Sequence, residues 1–171
     1  MRRVFPLLVI LLVIVPGRQV WAITQKKPIR LFRVGQEHGR FELDNTDYTI
    51  RGISMSLLIP VTRQERNQIF LSCLYSYGKS HPARLDYSTL SLQYVAIMLS
   101  DYFIKPNFKV GMSQFKLSRR KENYGMTLGA GFSIGSELAG FFFDPIQISL
   151  HEIDGQFPLV YTARVGICTK F

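Results

Sequence analysis

The sequence predicts an all-β fold, an eight-stranded antiparallel up-and-down transmembrane β-barrel, and three observations point to it. Apolar and polar residues alternate along most of the chain; turn-like polar clusters cut it at fairly even intervals; and Pro158 to Phe171 alternates to an aromatic terminus. A period of two places successive side chains on opposite faces of a strand. Crossing a membrane by a helix takes roughly 20 apolar residues. After residue 22 the nearest approach is Val95 to Leu99, soon followed by Asp101. A chain that crosses lipid without such a helix must close its sheet, because hydrocarbon satisfies no open edge.

The elements follow in order. Arg2 and Arg3 precede an apolar run from Val4 to Val15, and Val20-Trp21-Ala22 offers a cleavage site after Ala22. Residues 1–22 therefore read as a cleavable signal peptide and 23–171 as the barrel. The apolar run is too short for an anchor before Pro16-Gly17-Arg18 ends it. Strand-breaking clusters are expected at Asp44–Asp47, Thr62–Arg66, Gly78–Arg84, Lys105–Asn107, Arg119–Asn123, Gly135–Glu137 and Asp154–Gln156. The first strand, roughly Ile29 to Leu43, has the weakest pattern. In the second, Ile53, Met55, Leu57 and Ile59 oppose Gly52, Ser54 and Ser56. In the third, Ile69, Leu71, Cys73, Tyr75 and Tyr77 oppose Gln68, Ser72 and Ser76. The fourth alternates from Leu90 to Met98 until Val95 and Ile97 blur it, and the fifth runs from Phe108 to Leu117. The sixth is the clearest: Tyr124, Met126, Leu128, Ala130, Phe132 and Ile134 alternate with glycines, Thr127 and Ser133, a composition that makes a poor helix. Ile146, Ile148 and Leu150 mark the seventh, and Leu159, Tyr161, Ala163, Val165 and Ile167 the eighth.

Eight is an even count, which leaves both termini on one side of the membrane. The Gly/Ser-rich face is a poor filler for a water-soluble core, whereas the large aliphatic face would be insoluble if turned to water. The small face is therefore expected inside. The alternative is a soluble periplasmic lipid-binding barrel of lipocalin type, with the faces inverted. An eight-stranded barrel is filled by its own side chains, so no broad pore is expected. His38, Arg40, Glu42, Arg51, Lys109 and Arg164 are expected to pair inside as a charge network, since a lone charge there is costly. Inward Gly125, Gly129 and Gly131 leave either a small acyl-chain cavity or close packing against bulky neighbours. Tyr75, Tyr77, Tyr87, Tyr124, Phe108, Phe171 and Phe141 to Phe143 are expected in aromatic girdles.

The chain carries net charge +9, which falls to +6 once Arg2, Arg3 and Arg18 leave with the signal. Export and the lack of a Lys/Arg-rich helix argue against nucleic acid and leave anionic lipid as the natural counterpart. Lys79, Arg84, Arg119, Arg120 and Lys121 fall in outward connections, where cations meet the phosphates of lipopolysaccharide. Cys73 and Cys168 point to opposite faces of strands that are not neighbours, so two free thiols are expected. His38, His81 and His151 are isolated, so no metal or other cofactor is expected. Ser149, His151 and Glu152 form the only compact set able to support hydrolysis.

The terminal run resembles the assembly signal of bacterial outer-membrane barrels in Arg164, Gly166 and Phe171, with Thr169 a departure because it is only weakly hydrophobic. Such a signal implies handling by the barrel assembly machinery. Ser149 and His151 resemble the His and Ser of outer-membrane lipid A deacylases, in reversed order and without the following Asn. Across most of its mature length the chain resembles the small OmpX-like and opacity-type outer-membrane proteins. That resemblance implies a monomeric bacterial outer-membrane barrel with a structural, non-enzymatic envelope role. The short outward connections depart from the long loops of adhesive members.

Overall fold

Eight antiparallel strands close on themselves: β1 (Leu31–Leu43), β2 (Thr46–Arg63), β3 (Asn67–His81), β4 (Asp86–Met98), β5 (Ile104–Leu117), β6 (Asn123–Gly135), β7 (Ala139–His151) and β8 (Leu159–Lys170). The computed structural model describes residues 30–63, 67–98, 102–118, 122–135, 139–153 and 155–170. The expected signal peptide, Arg119, Arg120, Lys121 and Phe171 lie outside the described residues. Each strand pairs with its sequence neighbour, and β1 pairs with β8 from Leu31↔Lys170 to Arg40↔Tyr161. Every strand thus has two partners, and no unsatisfied sheet edge is left for lipid to meet.

The faces are those of a membrane barrel. Ile53 is 55% exposed, Leu128 59% and Ile167 60%, while Ser54, Ser72, Ser76, Ser113 and Thr127 are buried inside. Large apolar side chains point out and small polar ones point in, the reverse of a lipocalin. Both termini of the barrel lie at one end, called here the terminal end; the β1–β2, β3–β4, β5–β6 and β7–β8 connections form the far end. The β1–β2 connection is the two residues Asp44 and Asn45, both with positive φ (53° and 56°), the backbone a tight twisted hairpin requires.

Two expectations about elements need correction. Lys105–Asn107 is not a turn: all three residues lie in β5, whose connection to β4 falls earlier in the chain. Pro106 is accommodated near the beginning of the strand, the position that best tolerates a missing donor. Tyr87 and Phe142 are buried inside the barrel rather than placed in a girdle.

The interior is layered. At the far end Phe41, Leu43, Ile50, Tyr87, Phe115, Leu117, Ile153 and Val160 pack into a buried apolar plug. Phe41 meets Phe115 edge-to-face with centroids 5.6 Å apart, a favoured aromatic geometry. Toward the terminal end, Leu31, Leu58, Phe70, Val95 and Ile97 form a second apolar cluster on the β1–β4 side. Charged and amide side chains fill the space between.

Candidate functional site: buried charges and an outward cationic rung

The interior charges come from Arg33, Glu37, Lys109, Asp144 and Arg164, all nearly fully buried. Lys109 and Asp144 form an ion pair, and Arg164 Nη2 lies 3.5 Å from the same carboxylate. Arg164 also reaches Glu37, Nε to Oε2 at 4.0 Å, and donates to the Gln147 carbonyl. Glu37 accepts hydrogen bonds from Ser76 (2.9 Å) and the Tyr87 hydroxyl (3.1 Å), which ties the ionic layer to the apolar plug above it. Such mutual satisfaction is what a low-dielectric interior demands.

Of the expected interior network, Lys109 and Arg164 are inside. His38, Arg40, Glu42 and Arg51 are not: all four are exposed on the outer face, and this is a correction. Their strands continue past the apolar band, where the outer face becomes polar and Phe41 and Leu43 turn the inner face apolar. The polarity of the two faces therefore inverts along a single strand, and uniform alternation misassigns them. Arg33, Glu37 and Asp144 were missed. Arg33 and Glu37 lie on the β1 face that carries Phe41 and Leu43, the signal that could have found them.

The outward-facing charges have an order. Along β3 the outer face reads Cys73, Tyr75, Tyr77, Lys79, His81, passing from thiol to aromatics to cations; along β2 it reads Ile59, Leu57, Met55, Ile53, Arg51. Aromatic rings followed by cations are the side chains suited to a boundary between hydrocarbon and head groups. His38 pairs across the sheet with Arg51, and Arg51 with Lys79. Facing residues in an antiparallel ladder have Cβ atoms about 4.5–5.5 Å apart, and like charges there repel. Among the described residues none of these three side chains has an ion-pair partner. Arg40 stands nearby over the Tyr161 ring, 5.9 Å from its centroid. Arg84 is exposed in the β3–β4 connection with φ 50°.

The candidate hydrolytic set is not assembled. Ser149 donates to Thr127 Oγ1 at 3.0 Å, and His151 Nε2 lies 3.3 Å from Ser113 Oγ. Both side chains are buried, with His151 packed 5.4 Å from the Phe115 ring under the plug, whereas Glu152 is exposed. Gly125 and Gly131 back onto His151 and Asp144, and the polar void beside Asp144 is about 10 Å³, too small for an acyl chain. Cys73 is exposed on the outer face, and Cys168 faces inward near the terminal end; both are free thiols.

No protein-family model matches the chain, and no curated protein matches it. Solved structures do. Neisserial surface protein A is similar with a TM-score of 0.63 at 13% identity, covering 83% of this chain and 97% of that one. This chain has the fold of the small outer-membrane β-barrels. The attachment invasion locus protein Ail of Yersinia pestis, solved in complex with the heparin analogue sucrose octasulfate, gives 0.58 at 13% identity over 85% of this chain and all of that one. The N-terminal barrel domain of Pseudomonas aeruginosa OprF gives 0.54 at 13% identity over 86% and 100%.

Proposed function

We propose that the protein is a structural, non-enzymatic barrel of the bacterial outer membrane that holds the phosphorylated head groups of lipopolysaccharide on its outer rim. The carrying observation is the unpartnered rung His38–Arg51–Lys79, stacked directly above Tyr75 and Tyr77. Arg51 and Lys79, like charges held face to face, are unfavourable unless an anion binds between them, and guanidinium matches phosphate geometry. In this reading the terminal end is periplasmic and the far end faces outward. Gly166 and Phe171 belong to the signal read during assembly, and Arg164 joins them there while serving the interior charge layer. Arg84, exposed in the β3–β4 connection, adds a further cation at this end. The complex of Ail with a polysulfated sugar lends support, since it shows a barrel of this fold beside clustered anionic esters.

The reading is tested in two steps. Envelopes are washed with carbonate, and unboiled and boiled samples are compared on a cold gel; retention with a heat-dependent mobility is expected, and release in the wash overturns the membrane assignment. The folded protein is then titrated with lipopolysaccharide and with its dephosphorylated form. Preferential binding of the phosphorylated form, lost in Arg51→Gln/Lys79→Gln and weakened by salt, is expected. Equal binding of both forms sinks the phosphate contact.

A further inference from the structure

The interior charges do not cancel. Among the described residues there are three buried cations, Arg33, Lys109 and Arg164, against two buried carboxylates, Glu37 and Asp144. Asp144 is shared by Lys109 and Arg164, and Glu37 is held by Arg164, Ser76 and Tyr87. Arg33 is the cation left over. It is 3% exposed, its Nη2 donates to Ser133 Oγ (3.0 Å), its one hydrogen bond among the described residues, and its guanidinium lies 5.3 Å from the centroid of the Phe142 ring. Its Nε has no partner. A buried cation in this state is costly unless an anion joins it.

Beside it is space for one. A cavity of about 60 Å³ at the terminal end is lined by Arg33, Gln68, Lys105, Ser133 and Cys168 among others. One water needs roughly 10–15 Å³, so the cavity admits a tetrahedral oxyanion. Among the described residues the lining supplies a guanidinium, an ammonium, an amide and a hydroxyl, all able to donate, and no carboxylate, beside apolar Leu31, Ile97 and Ile134. Lys105, half-buried at the rim, has no ion-pair partner among the described residues. Phe142 holds the guanidinium in place, and its own ring fits because positions 35 and 166 are glycine: a Cβ at either would come within 2.8 Å of it.

We infer that this cavity is an oxyanion-binding site for a phosphate group, entered from the terminal end and independent of the outward rung. Arg33 supplies the guanidinium, whose geometry matches phosphate, and Lys105 adds a second charge at the entrance. The phosphate arrives either as a soluble ion or as the head group of a phospholipid in the adjoining leaflet. Both sources present the same oxygens to the same donors.

Cys168 lines the cavity and reports its occupancy, while Cys73 faces the outer surface on another strand. In the Cys73→Ser full-length protein, folded in a maltoside detergent, the rate of Cys168 alkylation by iodoacetamide is followed as inorganic phosphate is added at constant ionic strength. Phosphate at ten times its dissociation constant leaves about one site in eleven open and slows alkylation about tenfold. The titration is repeated with phosphatidylglycerol in the micelles in place of phosphate. Slowing by phosphate identifies a soluble ion, and slowing by the lipid alone identifies a head group. Lys105→Gln, at the rim, keeps the heat-dependent mobility of a folded barrel and weakens either protection, and Arg33→Gln abolishes it. An alkylation rate unchanged by both additions, or protection unaltered in the folded Lys105→Gln protein, overturns the site.

Discussion

Two sets of cations, one inside the barrel and one on its outer rim, show how surroundings decide what a charge is for. Inside, Lys109 and Arg164 converge on Asp144, and Arg164 extends to Glu37. Outside, the cations Arg51 and Lys79 stand opposite each other, with His38 across from Arg51, and none has an ion-pair partner among the described residues. In the interior an unmatched charge costs several kcal/mol, so residues of both signs must be placed together. At the rim, water and salt screen the repulsion, so like charges persist and stay available to a ligand. Lys109 and Arg164 are compensated and structural, and the absence of compensation is what supports the proposal that the rim set binds an anion.

The largest expected effect breaks the inner half of this comparison. Asp144→Asn leaves three buried cations with Glu37 as the one buried carboxylate among the described residues and is expected to cost about 3–5 kcal/mol, read as a lower urea midpoint for unfolding from lipid vesicles. The Lys109→Leu/Asp144→Leu double variant removes both members of the pair and sharpens the point. It is expected to unfold at a higher urea midpoint than Asp144→Asn, because removing a pair is gentler than orphaning one. If the double variant is the weaker protein, the ion pair is itself a net source of stability. Next, Gly166→Val drives a side chain into the Phe142 ring that backs Arg33 and is expected to cost about 1–3 kcal/mol by the same assay. Ser149→Ala removes one buried hydrogen bond to Thr127, at about 1 kcal/mol, with no change in fatty-acid release from lipid A. Smallest in stability is the rim: Arg51→Gln/Lys79→Gln is expected to fall within about 0.5 kcal/mol of the parent while losing the preference for phosphorylated lipopolysaccharide. A large destabilisation there would mean the rung is structural and erase the contrast.

The strand count, the antiparallel order and the choice of inner face were legible because lipid outside and crowding inside impose one rule over the barrel's middle. Tyr124 to Ile134 states that rule cleanly. It fails where the environment changes along a strand: His38, Arg40, Glu42 and Arg51 lie where outward no longer means lipid, and Tyr87 lies where inward means the plug. The Lys105-Pro106-Asn107 turn failed for another reason. Its residues are common in turns, but among the described residues Pro106 pairs with Phe132 of β6 alone, and a proline is tolerated near a strand's first residues. Of the interior site, Lys109 and Arg164 were visible as charges in alternating segments. Glu37 and Asp144 were not, because which carboxylate meets which cation depends on cross-barrel register that no single segment contains.

The plug formed by Phe41, Leu43, Tyr87 and Phe115 makes the interior a vessel closed at one end. The packed rings stand between the buried charge layer and the medium beyond the far end. A barrel stoppered in this way is a wall on that side and not a conduit.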